Sequence, residues 1–398
     1  MPSNQVFLLV SVLLTTSCLQ TSGIRYPKLP TVQDGSLHMI NFNVGQADAL
    51  LVIYRGKTLL LDCGSPLEKP SLASQRIPRR LDALLGTRHI DYVLVTHYHA
   101  DHVGGPGRKQ TKRRPSGLFS LIDRDGVTVG KLLDRGDWSI GKPTATHRHY
   151  QRATTRWLRE GKIGSRQTVR PGDTIDLGDG IQVDVTVTSS NGLLDRVRSL
   201  FPGFMRKSPP SENDYSVGTK IRLGDFEMFA SGDLSGAHKV RRFGPVSLSY
   251  TDVESHIAGD IGPVEFYRAN HHGSHNSSNG CFSQVLHPQV SVISSGADNR
   301  YGHPAPEVYW RLKRFGDVYI TDGVGDALRE AAANDIVGDD IEVLVSPDGT
   351  RFWVNGKAYT SLTDAAELSR LNYRADCASP EGITPRQYNE ETGTLPGD

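Results

Sequence analysis

Residues 96–105 read THYHADHVGG, and no other stretch restricts this chain as much. His97, His99, Asp101 and His102 form the pattern H-x-H-x-D-H at the end of a short apolar run, DYVLVT (91–96), of the kind that makes a buried strand. With 14 His in 398 residues, chance delivers such a pattern on the order of once in a thousand chains. Imidazole and carboxylate are ligands for Zn, Mn or Fe, and a loop after a strand can aim several of them at one point. Gly104 and Gly105 then let the backbone turn away. Four such side chains together carry desolvation and repulsion penalties that a cation relieves.

Two later segments extend the constellation. Asp233 closes the apolar run FASGD (229–233), where a carboxylate can bridge two cations. His271 and His272 follow a strand-like run in NHHGSHNSS (270–278).

The rest of the chain supplies a large α/β frame. Strand-like runs occupy 37–43, 48–54, 58–64, 217–233, 263–273, 289–296, 317–321 and 339–356, and helices are expected after the proline of 71–86 and around 306–316. Their alternation, with several apparent hairpins, points to layered mixed sheets. A 37% hydrophobic and 22% charged composition excludes a disordered or collagen-like chain. No apolar run after the N-terminus is long enough for a multi-span membrane protein. The apolar run 6–14 followed by small residues reads as a signal peptide over 1–23, although MPSNQ carries no Lys or Arg. Cys18 stands where a lipoprotein cysteine could stand, so the expected location is secreted, periplasmic or cell-surface. A linker is expected over 24–35, one domain over 36–360 and a polar tail over 361–398. Cys63, Cys281 and Cys377 allow one disulfide and one free thiol, with the pairing open.

Formal charge sums to +1, but its distribution is uneven. Residues 106–210 hold 20 Lys/Arg and 10 Asp/Glu, against 25 and 34 in the remainder. This stretch reads as a basic insertion, a wall for a polyanion such as nucleic acid or, more plainly, a solvated Arg-rich face.

The motifs together resemble the metallo-β-lactamase-fold hydrolases, and within them the extracytoplasmic nuclease-like domain of the ComEC/Rec2 group of competence proteins. The resemblance rests on FNVGQADALL (42–51), LLLDCGS (59–65), THYHADHVGG (96–105), NDYSVGTKIRLGDFEMFASGD (213–233), ANHHGSHNSS (269–278) and NRYGHP (299–304). It implies a four-layer αββα sandwich holding two divalent metal ions, Zn or Mn. His97 and His99 would hold the first ion. Asp101, His102 and one of His271 or His272, with a lean to His272, would hold the second. Asp233 would bridge both, and Asp62 would orient a ligand histidine. Most two-metal members have a further His between His102 and Asp233. This chain offers His147 and His149, or Asn213, Asp214 and Ser216, of which an oxygen or water-mediated contact from the last three is preferred. Asn43 and Ala47 depart from the DVGQGDA signature, while Asp48 is retained. The membrane channel of the competence proteins is absent from this sequence.

The implied chemistry is attack by a metal-bound hydroxide, with Asp101 or Asp233 accepting the proton and His303 serving as leaving-group acid or phosphate contact. The expected activity is that of a secreted phosphodiesterase or nuclease-like hydrolase of an anionic polymer. Two alternatives stand beside it: an amide, ester or lactone hydrolase of the same fold, and a non-catalytic metal-containing surface protein.

Overall fold

The computed structural model describes residues 29–65, 72–107, 114–139, 142–192, 210–236, 241–243, 246–248, 252–297 and 299–362. The leader expected over 1–23 with Cys18, the basic run 108–113, Cys377 and the tail beyond 362 lie outside the described residues.

In chain order the first strands are β1 (Leu37–Asn41), β2 (Leu50–Tyr54), β3 (Lys57–Leu61), β4 (His89–Val95), β5 (Gly104–Gly105) and β6 (Thr128–Asp134). They are followed by β7 (Ile163–Thr168), β8 (Ile181–Val187), β9 (Gly218–Leu223), β10 (Phe226–Ser231), β11 (Arg241–Phe243) and β12 (Val246–Leu248). The last are β13 (Phe266–Arg268), β14 (Val290–Ile293), β15 (Asp317–Ile320), β16 (Ile341–Val345), β17 (Arg351–Val354) and β18 (Lys357–Thr360). A nine-stranded sheet runs β18-β17-β16-β1-β2-β3-β4-β6-β7, and a six-stranded sheet runs β15-β14-β13-β10-β9-β8. Both are mixed: β1 to β3 form antiparallel hairpins, whereas β3, β4, β6 and β7 run parallel.

Strand alternation explains the layering. In β3, Leu59 and Leu61 face the space between the sheets, with Met39, Val52, Ile221, Met228 and Val292. Leu60, between them, faces outward into a second core with Ile77, Leu81, Phe119 and Trp157. These belong to helices α1 (Leu72–Leu85), α3 (Gly117–Asp123) and α4 (Ala145–Arg159), which cover the larger sheet. Helices Val253–Ile261, Gly280–Leu286 and Pro306–Lys313 cover the smaller sheet through Ile257, Phe282 and Val308. The result is the four-layer αββα sandwich.

Two expectations need correction. Residues 106–210 are not an appendage, because α3, β6, α4 and β7 complete one outer layer and the edge of the larger sheet, and β8 closes the smaller sheet. Among the described residues some of their basic side chains are paired within this layer: Arg156 and Lys162 with Asp123, and Arg166 with Asp134 and Asp137. Secondly, α1 begins ahead of Pro78 and runs through it. Burial of Ala73, Ile77 and Leu81 on one face outweighs the hydrogen bond that proline removes.

Among the described residues no helix is long and apolar enough to cross a membrane. Cys63 is a buried free thiol, and Cys281 is disulfide-bonded.

Candidate metal centre

The site lies where the carboxyl ends of parallel neighbours meet. β3 leads into Asp62 and β4 into His97, β10 leads into Asp233, and β13 leads into His271 and His272. The short helix α2 (Ala100–Val103) carries Asp101 and His102. Two glycines permit the close approach. A Cβ on Gly64 would sit 1.6 Å from the Asp101 carbonyl oxygen, and one on Gly232 would sit 2.3 Å from Thr96 Oγ1 and 2.8 Å from His97 Nδ1. No side chain larger than hydrogen fits at either position.

Asp62 organises the loop. Its carboxylate accepts from the Thr96 N–H and hydroxyl, both at 2.8 Å, and faces His102 Nδ1 at 2.9 Å. That last bond puts a proton on Nδ1 and turns His102 Nε2 toward Asp233 Oδ1, 2.9 Å away. His272 is oriented in the same fashion, donating from Nδ1 to the Ser294 carbonyl at 2.9 Å. Its Nε2 lies 3.8 Å from Asp233 Oδ1 and 3.4 Å from Asp101 Oδ2.

Asp233 divides the imidazoles. Oδ1 faces His102 and His272, whereas Oδ2 lies 3.7 Å from His97 Nε2 and 3.4 Å from His271 Nε2. His99 Nδ1 is 3.1 Å from His97 Nε2. Ligand atoms of Asp48, His102, Asp233 and His272 lie within 4.8 Å of one another, as do those of His97, His99 and Asp233.

Sequence reasoning left Asp48 without a role, although its retention in the GQAD stretch was a usable signal. Asp101, expected as a ligand of the second ion, stands outside the group of four. It lines the cavity with its Oδ2 3.4 Å from His272 Nε2, and Asp48 is the fourth member of the tighter group. Of the candidates between His102 and Asp233, His147 stacks on Tyr98 at 4.3 Å, and His149 lines a separate groove with Arg152. The Asp214 carboxylate accepts from Ser211 N, and Ser216 Oγ accepts from Asp233 N. Asn213 reaches the site, with Nδ2 3.3 Å from His271 Nε2.

The donor set fits divalent cations. Both oxygens of Asp48 and Nε2 of His272 are buried without a hydrogen-bond partner, and His102 Nε2 and Asp233 Oδ1 face each other at 2.9 Å. Orphaned atoms of this kind, converging on one point, are what a bound cation satisfies. Without one, protons take that place. Burial opposes the charged form of His102, yet the carboxylates of Asp233 and Asp62 hold it well above the usual imidazole range. Burial opposes ionisation of Asp233 too, but His271 and His102 hold its carboxyl well below the carboxylate range. His97 goes the other way, pushed down by burial and by His102. The guanidinium of Arg268, fully buried, lies 3.6 Å from Asp62 Oδ2 and 3.9 Å from Asp48 Oδ2.

The centre opens into a cavity of about 360 Å³ lined by Gln46, Ser65, Asn213, Arg300 and His303, among others. Gln46 fixes the tautomer of His303. Its Oε1 accepts from the Gly296 N–H at 3.2 Å, so its Nε2 donates to His303 Nδ1 at 3.1 Å. His303 therefore carries its proton on Nε2. Burial, with His272 and His271 nearby, pushes His303 down to about 3. That shift favours the neutral imidazole, whose Nε2–H suits a phosphate contact.

A fold of two facing mixed sheets and a paired imidazole–carboxylate centre define a class of protein. Residues 42–107 match the metallo-beta-lactamase superfamily, and the chain carries a domain of that superfamily. The chain is 31% identical over 304 residues to ComE operon protein 3 of Bacillus subtilis, covering 73% of this chain and 32% of that protein. It is 23% identical over 291 residues to competence protein ComA of Neisseria gonorrhoeae, covering 72% and 31%. The chain thus spans about a third of the length of these relatives. Among solved structures, the metallo-beta-lactamase fold protein YhfI of Bacillus subtilis aligns with a TM-score of 0.40 and 10% identity, over 72% of this chain and 98% of that one.

Proposed function

We propose that this chain is a metal-dependent hydrolase, a two-metal phosphodiesterase that acts outside the cytoplasm on an anionic polymer such as nucleic acid. The observation that carries the reading is Asp233, whose two carboxylate oxygens each face a separate pair of imidazoles. Bound divalent ions would supply a water of lowered pKa and neutralise charge on the attacked group. The chain's own residues do the rest. Asp62 and the Ser294 carbonyl hold His102 and His272 in the ligating tautomer. Asp101 in the cavity wall, or the central Asp233, would accept the water proton. Arg300, Asn213 and the Nε2–H of His303 line the cavity as donors to phosphoryl oxygens. Charge balance favours an anion: two divalent ions and Arg268 against Asp48, Asp62, Asp101 and Asp233 leave about one positive charge. The basic excess of 106–210 supports a polyanion, and the disulfide at Cys281 supports an oxidising compartment.

The test is metal content and bis-p-nitrophenyl phosphate turnover in one preparation, beside His97→Ala and Asp233→Asn. We expect about two ions per chain and a loss of at least about 100-fold in turnover in both variants. Cleavage of single-stranded DNA or RNA is expected to weaken steeply with added salt. Two bound ions with turnover only of neutral p-nitrophenyl esters would replace the phosphodiester substrate by an ester.

A further inference from the structure

We infer that the doublet His271–His272 serves both metal positions, His272 the Oδ1 side of Asp233 and His271 the Oδ2 side, where His271 stands in for the third histidine that 103–232 does not deliver. The inference rests on the two-ion reading above and concerns which residues hold the ions.

Consecutive residues of a strand point to opposite faces, so an extended doublet could offer only one imidazole to a common centre. This doublet is not extended. His271 and His272 have φ of 49° and 54°, and Gly273 follows at 73°. Two successive left-handed non-glycine residues are a costly backbone, held only where the surroundings enforce it. The turn swings both rings to the same side, with centroids 6.4 Å apart. The His271 N–H also bonds to the Gly232 carbonyl at 3.3 Å, tying the doublet to the residue before Asp233.

The side chains then separate. His272 is locked by Ser294 and sits 3.8 Å from Asp233 Oδ1. His271 Nε2 sits 3.4 Å from Oδ2, on the side of His97 at 3.7 Å. His147 and His149 are placed elsewhere, and Asn213, the remaining candidate on that side, offers an amide, a poorer ligand for zinc than imidazole. On the Oδ2 side, His97 and His99 group with Asp233 within 4.8 Å, and His271, outside that group, brings its Nε2 to 3.4 Å from Oδ2 while accepting from Asn213 Nδ2 at 3.3 Å. The other side presents two imidazoles and the Asp48 carboxylate.

The experiment titrates the metal-free full chain with Zn²⁺ by calorimetry, with elemental analysis after gel filtration. The wild type should take two equivalents. His271→Gly should lose one of them or bind it at least about 10-fold more weakly, because glycine adopts positive φ without strain and provides no ligand. His97→Ala should lose the same equivalent, and the pair of substitutions should lose no more than either alone. His271→Gly with His272→Ala should lose both. Should His271→Gly unfold, His271→Asn, also tolerant of a left-handed backbone, is judged by the same criteria. Two equivalents of wild-type affinity in the variant overturn the assignment, as does a wild type that binds one ion which the variant keeps. Phosphodiester turnover is scored separately, so two ions without turnover sink the proposed activity and leave this assignment standing.

Discussion

At the scale of single residues, the centre depends on a carboxylate that is not placed to touch an ion. Asp62 accepts from Thr96 twice and from His102, all within 2.9 Å, and adopts φ of 61°. Asn tolerates that backbone but places an amide where the full carboxylate stood. Asp62→Asn is therefore expected to weaken zinc binding about 10–100-fold and to lower the melting temperature of the metal-free chain, because the buried Arg268 and His102 lose a charge partner, read by calorimetry and thermal unfolding. The spacing of His97, His99, Asp101 and His102 advertised a centre in the bare sequence. Which carboxylates close it was less legible. Asp101 sits within the motif, yet Asp48, in the loop between β1 and β2, is the carboxylate grouped with His102, Asp233 and His272. The difference comes from tertiary pairing: the Asp48 N–H bonds to the Asp101 carbonyl at 2.9 Å, and no local pattern encodes that contact.

Between elements, a buried ion pair joins the outer layer to the site. Arg135, just after β6, donates from Nε and Nη2 to Glu212 at 2.8 Å each, and its guanidinium lies 4.4 Å from the Tyr98 ring and 4.6 Å from that of Tyr215. Glu212 also accepts from Tyr98 N at 3.0 Å. Glu212→Ala would strand the guanidinium and is expected to destabilise by about 3–5 kcal/mol in urea unfolding. Arg135→Met combined with Glu212→Leu should lose less than that, since no charge is left unpaired. This network also shows why 106–210 looked like an insertion. Its arginines gave a basic signal, but the counter-charges that hold them, such as Asp123 and Asp134, are matched only once β6, α4 and β7 pack. The helical start of α1 was hidden for a similar reason, since proline's local penalty was visible and the burial that offsets it was not.

For the whole molecule, the alternating strand-like and helical runs pointed to layered mixed sheets, and the family resemblance rather than the runs supplied the two-sheet sandwich between helices. Strand order did not follow, since β1 lies between β2 and the distant β16, a pairing set by packing over the full chain. Global stability should also respond to pH through Glu265. Burial, with the Glu227 carboxylate adding to it, pushes this side chain up to about 7 from an ordinary value near 4.5. The folded chain keeps a proton there that the unfolded chain releases, so this contribution is full below about pH 4.5 and is lost as pH rises toward 7. Glu265→Gln should reduce the fall in stability between pH 5 and pH 8 by about 1–3 kcal/mol, read from urea midpoints.

The two sides of Asp233 differ in their access to water. Asp48, His102 and His272 are at most 1% exposed, whereas the His271 side chain is 23% exposed and His99 shares the cavity wall with it. An ion on the cavity side can trade its ligands for water one at a time and leave. An ion among Asp48, His102 and His272 meets the cavity only at the edges of His272 and Asp233, and would leave more slowly. The two positions would therefore run on separate clocks, and brief contact with a weak chelator would empty one and spare the other, leaving a half-loaded chain ready to accept a second, different metal.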